Sequence, residues 1–194
     1  MRRIRLLAAL MVVLFLCGCG PQQGEIPAAP EVPPQTESLE QETAGILTAF
    51  TAEDLDCNAV DQSVLQDYAL TMINVWATYC GPCIQEMPDL GKLAADYADR
   101  GLQVIGLVSD VLNADGQADA DQLSLAKDIA AQTGATYLHL VPGSGMQDLM
   151  YQITAVPTTF FVDANGVQVG GTYVGARSYE DWSEVIEKVL GENG

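Results

Sequence analysis

The sequence predicts an α/β domain in which a central mixed β-sheet carries helices on both faces. The first observation is an apolar run, Leu70–Trp76, which predicts a buried strand and leads into a stripe of helical period. The second is the order of the elements that follow, with strands and helices alternating before a hairpin and a last helix. Crossover helices join parallel strands and hairpins join antiparallel ones, so this order predicts a mixed sheet.

Two cysteines lie where the first buried strand passes into its helix. Cys80 lies at the N-terminus of the predicted helix, and Cys83 is inside its first turn. Pro82 suits that turn because its missing N–H has no helical partner there. The apolar residues that predict the helix recur at intervals of three and four: Ile84, Met87, Leu90, Leu93, Ala94 and Tyr97.

This arrangement favours redox chemistry. The reactive form of cysteine is the thiolate, and a helix N-terminus stabilises it through unpaired N–H groups and the helix dipole. Cys80 is therefore predicted to attack the disulfide of a partner. Cys83 lies on the same side one turn deeper, so it is predicted to attack Cys80 and release the reduced partner.

Two other interpretations of the cysteine pair compete with a redox site. A structural zinc site would need four ligands, and Cys57 with His139 would have to complete it without the usual paired spacing. An inert structural disulfide would close a very short loop and gain little chain entropy. Neither fits the pattern as well as a redox pair does.

The downstream elements are predicted from periodicity and turn residues. Leu102–Val108 is a strand after Gly101, residues 119–133 form a helix that stops at Gly134, and residues 136–141 form another strand. A short helix is expected over residues 144–151. Two further strands, 159–162 and 167–174, flank an Asn-Gly turn, which strongly indicates a hairpin. The last helix starts at a near capping box, Ser178 to Asp181, and buries Trp182, Val185, Ile186, Val189 and Leu190.

The N-terminus predicts export and a lipid anchor. A positive start and an eleven-residue apolar run, 6–16, are typical of a signal peptide over residues 1–18. The run ends in Leu-Cys-Gly-Cys, which resembles a bacterial lipobox with Cys19 as the lipidated residue. A plain secretory signal is the alternative. Two acyl chains would hold the protein stably at a membrane.

Residues 19–45 are rich in Pro, Glu and Gln and lack apolar periodicity, which predicts a disordered, lipidated tether ahead of a domain over 46–192. The formal net charge is −18, and loss of three arginines with residues 1–18 lowers it to −21. Such a charge argues against binding to nucleic acid or to anionic lipid surfaces.

The stretch from Trp76 to Cys83, the Glu86-Met87-Pro88 that follows and the downstream Ala155–Thr159 segment resemble the TlpA/ResA-type, membrane-tethered branch of the thioredoxin superfamily. The resemblance covers residues 46–191. It implies a thioredoxin fold with an N-terminal β-hairpin, whose arms would be residues 47–51 and 58–61. Cys57 stands in the turn of that hairpin, where the family usually has glycine, and is taken as an incidental thiol rather than a third redox residue.

The resemblance also implies site residues. Pro157 would form a cis bond and leave the backbone of Val156 free to bind an extended substrate, although an ordinary proline at the start of a strand would look the same. Trp76 and Tyr79 flank the active site as candidate substrate contacts, with Trp76 equally plausible as core. His139 is interpreted as a packed strand residue rather than a catalyst.

Cytosolic thioredoxins carry a buried aspartate six residues before the first cysteine, and this sequence has Asn74 there. Glu86 resembles the carboxylate that the ResA-type branch uses, so the proton-handling role is assigned to it. The alternative is a solvated glutamate on the helix surface.

These observations predict a monomeric, lipid-anchored thiol–disulfide oxidoreductase on the extracytoplasmic side of the cell membrane. By resemblance it would reduce protein disulfides, such as those of apocytochrome c, and be recharged by a membrane electron donor of the CcdA/DsbD type. The dithiol itself cycles, so no metal or organic cofactor is expected. The rivals are a disulfide-forming oxidase or isomerase, a peroxidase of the related peroxiredoxin type, and a metal or haem chaperone.

Overall fold

A computed structural model describes residues 46–192. The predicted signal peptide, the tether and Cys19 lie outside these residues. The described part contains seven strands: β1 (Thr51–Asp54), β2 (Ala59–Asp61), β3 (Leu70–Trp76), β4 (Leu102–Val108), β5 (Leu138–Val141), β6 (Thr158–Val162) and β7 (Gln168–Val174). Its α-helices are α1 (Gly81–Asp96), α2 (Ala120–Thr133), α3 (Gln147–Gln152) and α4 (Tyr179–Glu192).

The strands form one mixed sheet in the order β2-β1-β5-β4-β3-β6-β7. The pairs β3–β4 and β4–β5 are parallel, and the other neighbours are antiparallel. Helices flank the sheet as predicted, and β3 lies in its interior with all seven residues buried. Because β3 is buried along its whole length, its C-terminal end is fixed in the core. The short turn that follows β3 therefore holds α1 and the two cysteines in a defined position.

Side chains of β3 alternate between two layers of core. Ile73 and Val75 pack with α3, whereas Met72 packs with α1 and α4. Asn74 and Trp76 have the same parity as Met72 and share its face of the sheet. This alternation brings Asn74 to the helix that carries the cysteines.

The ends of the helices match their predicted stop residues. Gly101 and Gly134 both adopt left-handed backbone angles, with φ of 80° and 70°. The Asn-Gly turn joins β6 to β7 as predicted, with Asp163 accepting hydrogen bonds from the N–H groups of Asn165 and Val167. The capping box is also present, since Ser178 and Asp181 bond reciprocally at the start of α4.

The first arm of the N-terminal hairpin was predicted wrongly. The arm is β1, Thr51–Asp54, and not residues 47–51. Leu47 and Phe50 are instead buried in the core, and the Leu47 N–H donates to the Gly166 carbonyl in the β6–β7 turn. Burial of these two side chains, rather than strand alternation, determines how the chain enters the domain.

Cys57 is an exposed free thiol with a φ of 63° in the turn between β1 and β2. A left-handed conformation costs a residue with a Cβ about 1–2 kcal/mol, which explains why glycine suits this position. We expect Cys57→Gly to be more stable than Cys57→Ser by about 1 kcal/mol in urea denaturation. Equal stability of the two variants would contradict the backbone explanation, because both of them lack the thiol.

Candidate active site

Cys80 and Cys83 are joined by a disulfide bond with an S–S distance of 2.03 Å. Cys80 is the N-cap of α1, and its sulfur accepts a hydrogen bond from the Cys83 N–H at 3.2 Å. The Cys80 side chain is 5% exposed, whereas Cys83 is fully buried. An approaching partner therefore reaches Cys80 first, and the same N–H group is available to a thiolate on Cys80.

The turn before Cys80 is held by Asp110, which lies in the loop that follows β4. Its carboxylate accepts hydrogen bonds from the Thr78 N–H at 3.0 Å and the Thr78 hydroxyl at 2.6 Å. Thr78 lies two positions after the end of β3, and Asp110 lies two positions after the end of β4. Because β3 and β4 are parallel neighbours whose ends are in register, this spacing brings the two side chains together. Asp110 therefore fixes the loop that presents the disulfide.

The loop before β6 forms the second wall of the site. The Val156–Pro157 peptide bond is cis. Pro157 is buried, its carbonyl accepts a hydrogen bond from the Gly175 N–H at 2.9 Å, and Val156 packs against the apolar cluster that contains both cysteines. Val156 thus packs against the cluster that holds the disulfide, and the hydrogen bond to the Pro157 carbonyl fixes this loop.

Glu86 is 2% exposed and is not a surface residue. Its Oε2 accepts hydrogen bonds from the Arg177 N–H at 3.1 Å and from Trp182 Nε1 at 3.3 Å. Its Oε1 accepts one from Asn74 Nδ2 at 2.9 Å. Burial raises the pKa of Glu86, while these hydrogen bonds favour the carboxylate and oppose that rise. Glu86 and Cys83 are both buried on α1 and lie three residues apart, which gives them the same side of the helix.

Trp76 does not line a groove, because its side chain has no exposed surface. Its Nε1–H donates to His139 Nδ1 at 3.2 Å. His139 Nε2 is then the protonated nitrogen and donates to the Ala135 carbonyl at 3.0 Å. Both side chains lie in the core. Trp76 is therefore a core residue rather than a substrate contact, and His139 is a packed, neutral histidine.

Burial lowers the pKa of His139 to about 4 from its ordinary 6.5. A depressed pKa in the folded state gives stability that is present above pH 6.5 and is lost as the pH falls toward 4. We expect the free energy of unfolding to fall by about 3 kcal/mol across this window through His139 alone.

The control for this loss is His139→Gln, which can accept from Trp76 and donate to Ala135 without titrating. Chemical denaturation between pH 7 and pH 4 should give the wild type a steeper decline than this variant. Parallel declines would show that His139 is not responsible for the acid sensitivity.

Tyr79 is the exposed aromatic residue of the site, at 77% exposure. It borders a groove of about 630 Å³ that runs from the disulfide loop to the cis-proline loop. Its lining is largely apolar and includes Leu112, Met146, Met150, Tyr151, Ile153 and Val156.

A disulfide at the N-terminus of a helix, facing a cis-proline loop on a mixed sheet, defines a thioredoxin-fold protein that exchanges thiols and disulfides. The sequence belongs to the Redoxin family, whose profile matches residues 41–189. The chain is accordingly a thiol–disulfide oxidoreductase of the TlpA/ResA type.

Known proteins are similar over most of the chain. Thiol:disulfide interchange protein DsbE of Vibrio cholerae is 33% identical, over 74% of this chain and 73% of its own. Thiol-disulfide oxidoreductase ResA of Bacillus thuringiensis subsp. konkukian is 24% identical, over 97% of this chain and 99% of its own. A thiol:disulfide interchange protein of the thioredoxin family from Chlorobium tepidum has a TM-score of 0.58 and 25% identity, over 73% of this chain and 93% of its own.

Among residues 46–192 no helix has the length and apolar character needed to cross a membrane.

Proposed function

We propose that this protein reduces disulfides of other proteins on the extracytoplasmic side of a membrane, with Cys80 as nucleophile and Cys83 as resolving thiol. The observation that carries the proposal is the position of the two cysteines at the start of α1. Cys80 is the N-cap and is 5% exposed, whereas Cys83 lies inside the first turn and is 0% exposed. A client disulfide outside the protein meets Cys80 first, and the buried Cys83 is then placed to resolve the mixed disulfide.

The reaction balances over two exchanges. The Cys80 thiolate attacks one client sulfur, forms a mixed disulfide and expels the other client sulfur as a thiolate. Cys83 loses its proton and attacks the Cys80 sulfur, which expels the second client thiolate and closes the Cys80–Cys83 disulfide. The client gains two electrons, the enzyme pair loses two, and no metal or organic cofactor takes part.

Glu86 is proposed to accept the Cys83 proton. It lies one turn along α1 on the same side of the helix, it is buried, and its pKa is raised by that burial. A carboxyl group with a pKa nearer neutrality is a better proton acceptor and donor at the working pH than a solvated one.

Substrate contact is proposed for Tyr79 and for the backbone of Val156 next to Pro157. Both residues line a groove of about 630 Å³, and apolar side chains dominate its lining. An extended segment can add backbone hydrogen bonds to an exposed chain edge while its side chains enter such a groove. The client would thus be an unfolded or flexible region with its disulfide accessible.

Reduction rather than oxidation is favoured by the Gly-Pro between the cysteines. The same dipeptide is found in thioredoxin, a reductant near −270 mV. The resemblance to TlpA/ResA-type proteins suggests apocytochrome c as a client and a CcdA/DsbD-type membrane protein as electron donor. A disulfide-forming oxidase or isomerase is the second candidate, because the same residues can run the exchange in reverse.

Anchoring is proposed through two acyl chains on Cys19 after removal of residues 1–18, with residues 19–45 as the tether. Labelling of growing cells with a radioactive fatty acid should mark the wild type and leave Cys19→Ala unlabelled. Equal labelling of the two proteins would refute lipidation at Cys19.

The activity is tested by reduction of insulin with a small dithiol as electron source. We expect rapid reduction by the wild type and by Cys57→Ser, and no acceleration by Cys80→Ser. If the wild type does not accelerate the reaction and zinc co-purifies in a form lost from Cys80→Ser, the chaperone interpretation would replace the enzyme.

A further inference from the structure

We propose that Asn74 is the positioning residue that keeps Glu86 able to take and give its proton. The inference rests on the proposed role of Glu86. Asn74 lies in the central strand β3 and Glu86 lies in the active-site helix α1, twelve positions apart in the sequence.

The geometry places the Asn74 amide between two parts of the site. Its Nδ2 donates to Glu86 Oε1 at 2.9 Å and to Thr159 Oγ1 at 3.0 Å. Asn74 has no exposed surface, and Thr159 is 1% exposed. Thr159 lies in β6, two residues after the cis-proline, so a single amide bonds both the helix of the cysteines and the strand that follows the cis-proline.

The donors around Glu86 divide between its two oxygens. The Arg177 N–H and Trp182 Nε1 donate to Oε2, and among residues 46–192 only Asn74 donates to Oε1. Two other titratable groups interact with this carboxylate: Arg177, whose charge favours it, and Tyr137, whose pKa its charge helps to raise. Loss of the Asn74 amide would leave this buried oxygen of Glu86 without its donor.

Asn74 also has an unused acceptor. Its Oδ1 is buried without a hydrogen-bond partner in the described structure. An unpaired buried oxygen is costly, and a half-turn of the amide would bring this oxygen toward Glu86. A protonated Glu86 donates its O–H, so the turned amide would accept it, with the Thr159 hydroxyl able to donate to the same oxygen. An amide thus serves both protonation states, which a carboxylate at position 74 would not do.

The test is the pH dependence of the exchange rate, measured by stopped flow with a disulfide peptide and the reduced full chain. Asn74→Leu removes the donor at nearly constant volume, so Glu86 should hold its proton to higher pH. We expect the rate at pH 7 to fall about tenfold and to recover as the pH rises. Asn74→Asp sets a second carboxyl group against Glu86 and should shift the profile in the same direction, which keeps the test open if the leucine variant fails to fold.

Two controls distinguish the loss of the hydrogen bond to Glu86 from a general loss of packing. Gln103→Leu removes a similar amide from β4, where it bonds the Val64 carbonyl and Thr71, and should leave the profile unchanged. In a Glu86→Gln background, itself expected to be slower by about 10²-fold, Asn74→Leu should not move the profile further.

Wild-type pH profiles in both Asn74 variants, with Glu86→Gln slow, would overturn the inference and leave the proposed function intact. A wild type without exchange activity would instead overturn the proposed function.

Discussion

Cys83→Ser is expected to stop turnover and to hold the client on the enzyme as a mixed disulfide with Cys80. The buried sulfur of Cys83 is the group that resolves this intermediate, and serine cannot replace it at neutral pH because its hydroxyl is a poor nucleophile. Non-reducing gels should show a client adduct that disappears when a thiol is added. Mass spectrometry should locate the linkage at Cys80.

Cys80→Ser is the matched variant for the trap. The remaining Cys83 thiol is fully buried, so neither turnover nor an adduct is expected. A Cys57→Ser background removes the other free thiol of the described domain and prevents adducts there. An adduct that forms on Cys83 in the Cys80→Ser protein would reverse the assigned order of attack.

Gly106→Ala is expected to lower the free energy of unfolding by about 3–5 kcal/mol. A Cβ at this position in β4 would lie 2.2 Å from His139 Nδ1 and 3.0 Å from Trp76 Nε1. The histidine ring would have to leave its place, and the Trp76–His139 hydrogen bond would break. Such a loss is a large share of the 5–15 kcal/mol that typically stabilises a domain.

Gly171→Ala is the matched control, because it adds the same methyl group to a strand glycine. Its Cβ would meet nothing closer than Tyr173 at 4.0 Å. Urea denaturation should give the Gly171→Ala protein near-wild-type stability and the Gly106→Ala protein a much lower midpoint. Similar midpoints for the two variants would contradict the account of the histidine packing.

The local elements were predictable from the sequence because their signals are local. The seven-residue apolar run gave β3 with its observed bounds, and the spacing after Cys83 predicted the buried face of α1. Gly101, Gly134 and the Asn-Gly turn ended or joined elements where expected, since left-handed backbone angles favour glycine there.

Contacts between distant residues were not predictable in the same way. The hydrogen bond from Asn74 to Glu86 depends on how α1 packs over β3, and the sequence pattern assigned proton handling to Glu86 without indicating this contact. The hydrogen bond between Thr78 and Asp110 follows from the register of two neighbouring strands, and no local pattern supplies that register. Tertiary burial of Leu47 and Phe50 outweighed the strand pattern that misplaced the first hairpin arm.

The central claim is that Cys80 and Cys83 form a reducing redox couple. Its most direct test is the reduction potential of the pair, measured in the Cys57→Ser protein by equilibration against a dithiol buffer. A value near −270 mV, as in thioredoxin, is the predicted result for a reductase. A value near −120 mV, at the strongly oxidising end of this enzyme class, would contradict the reductase assignment and identify a disulfide-forming oxidase.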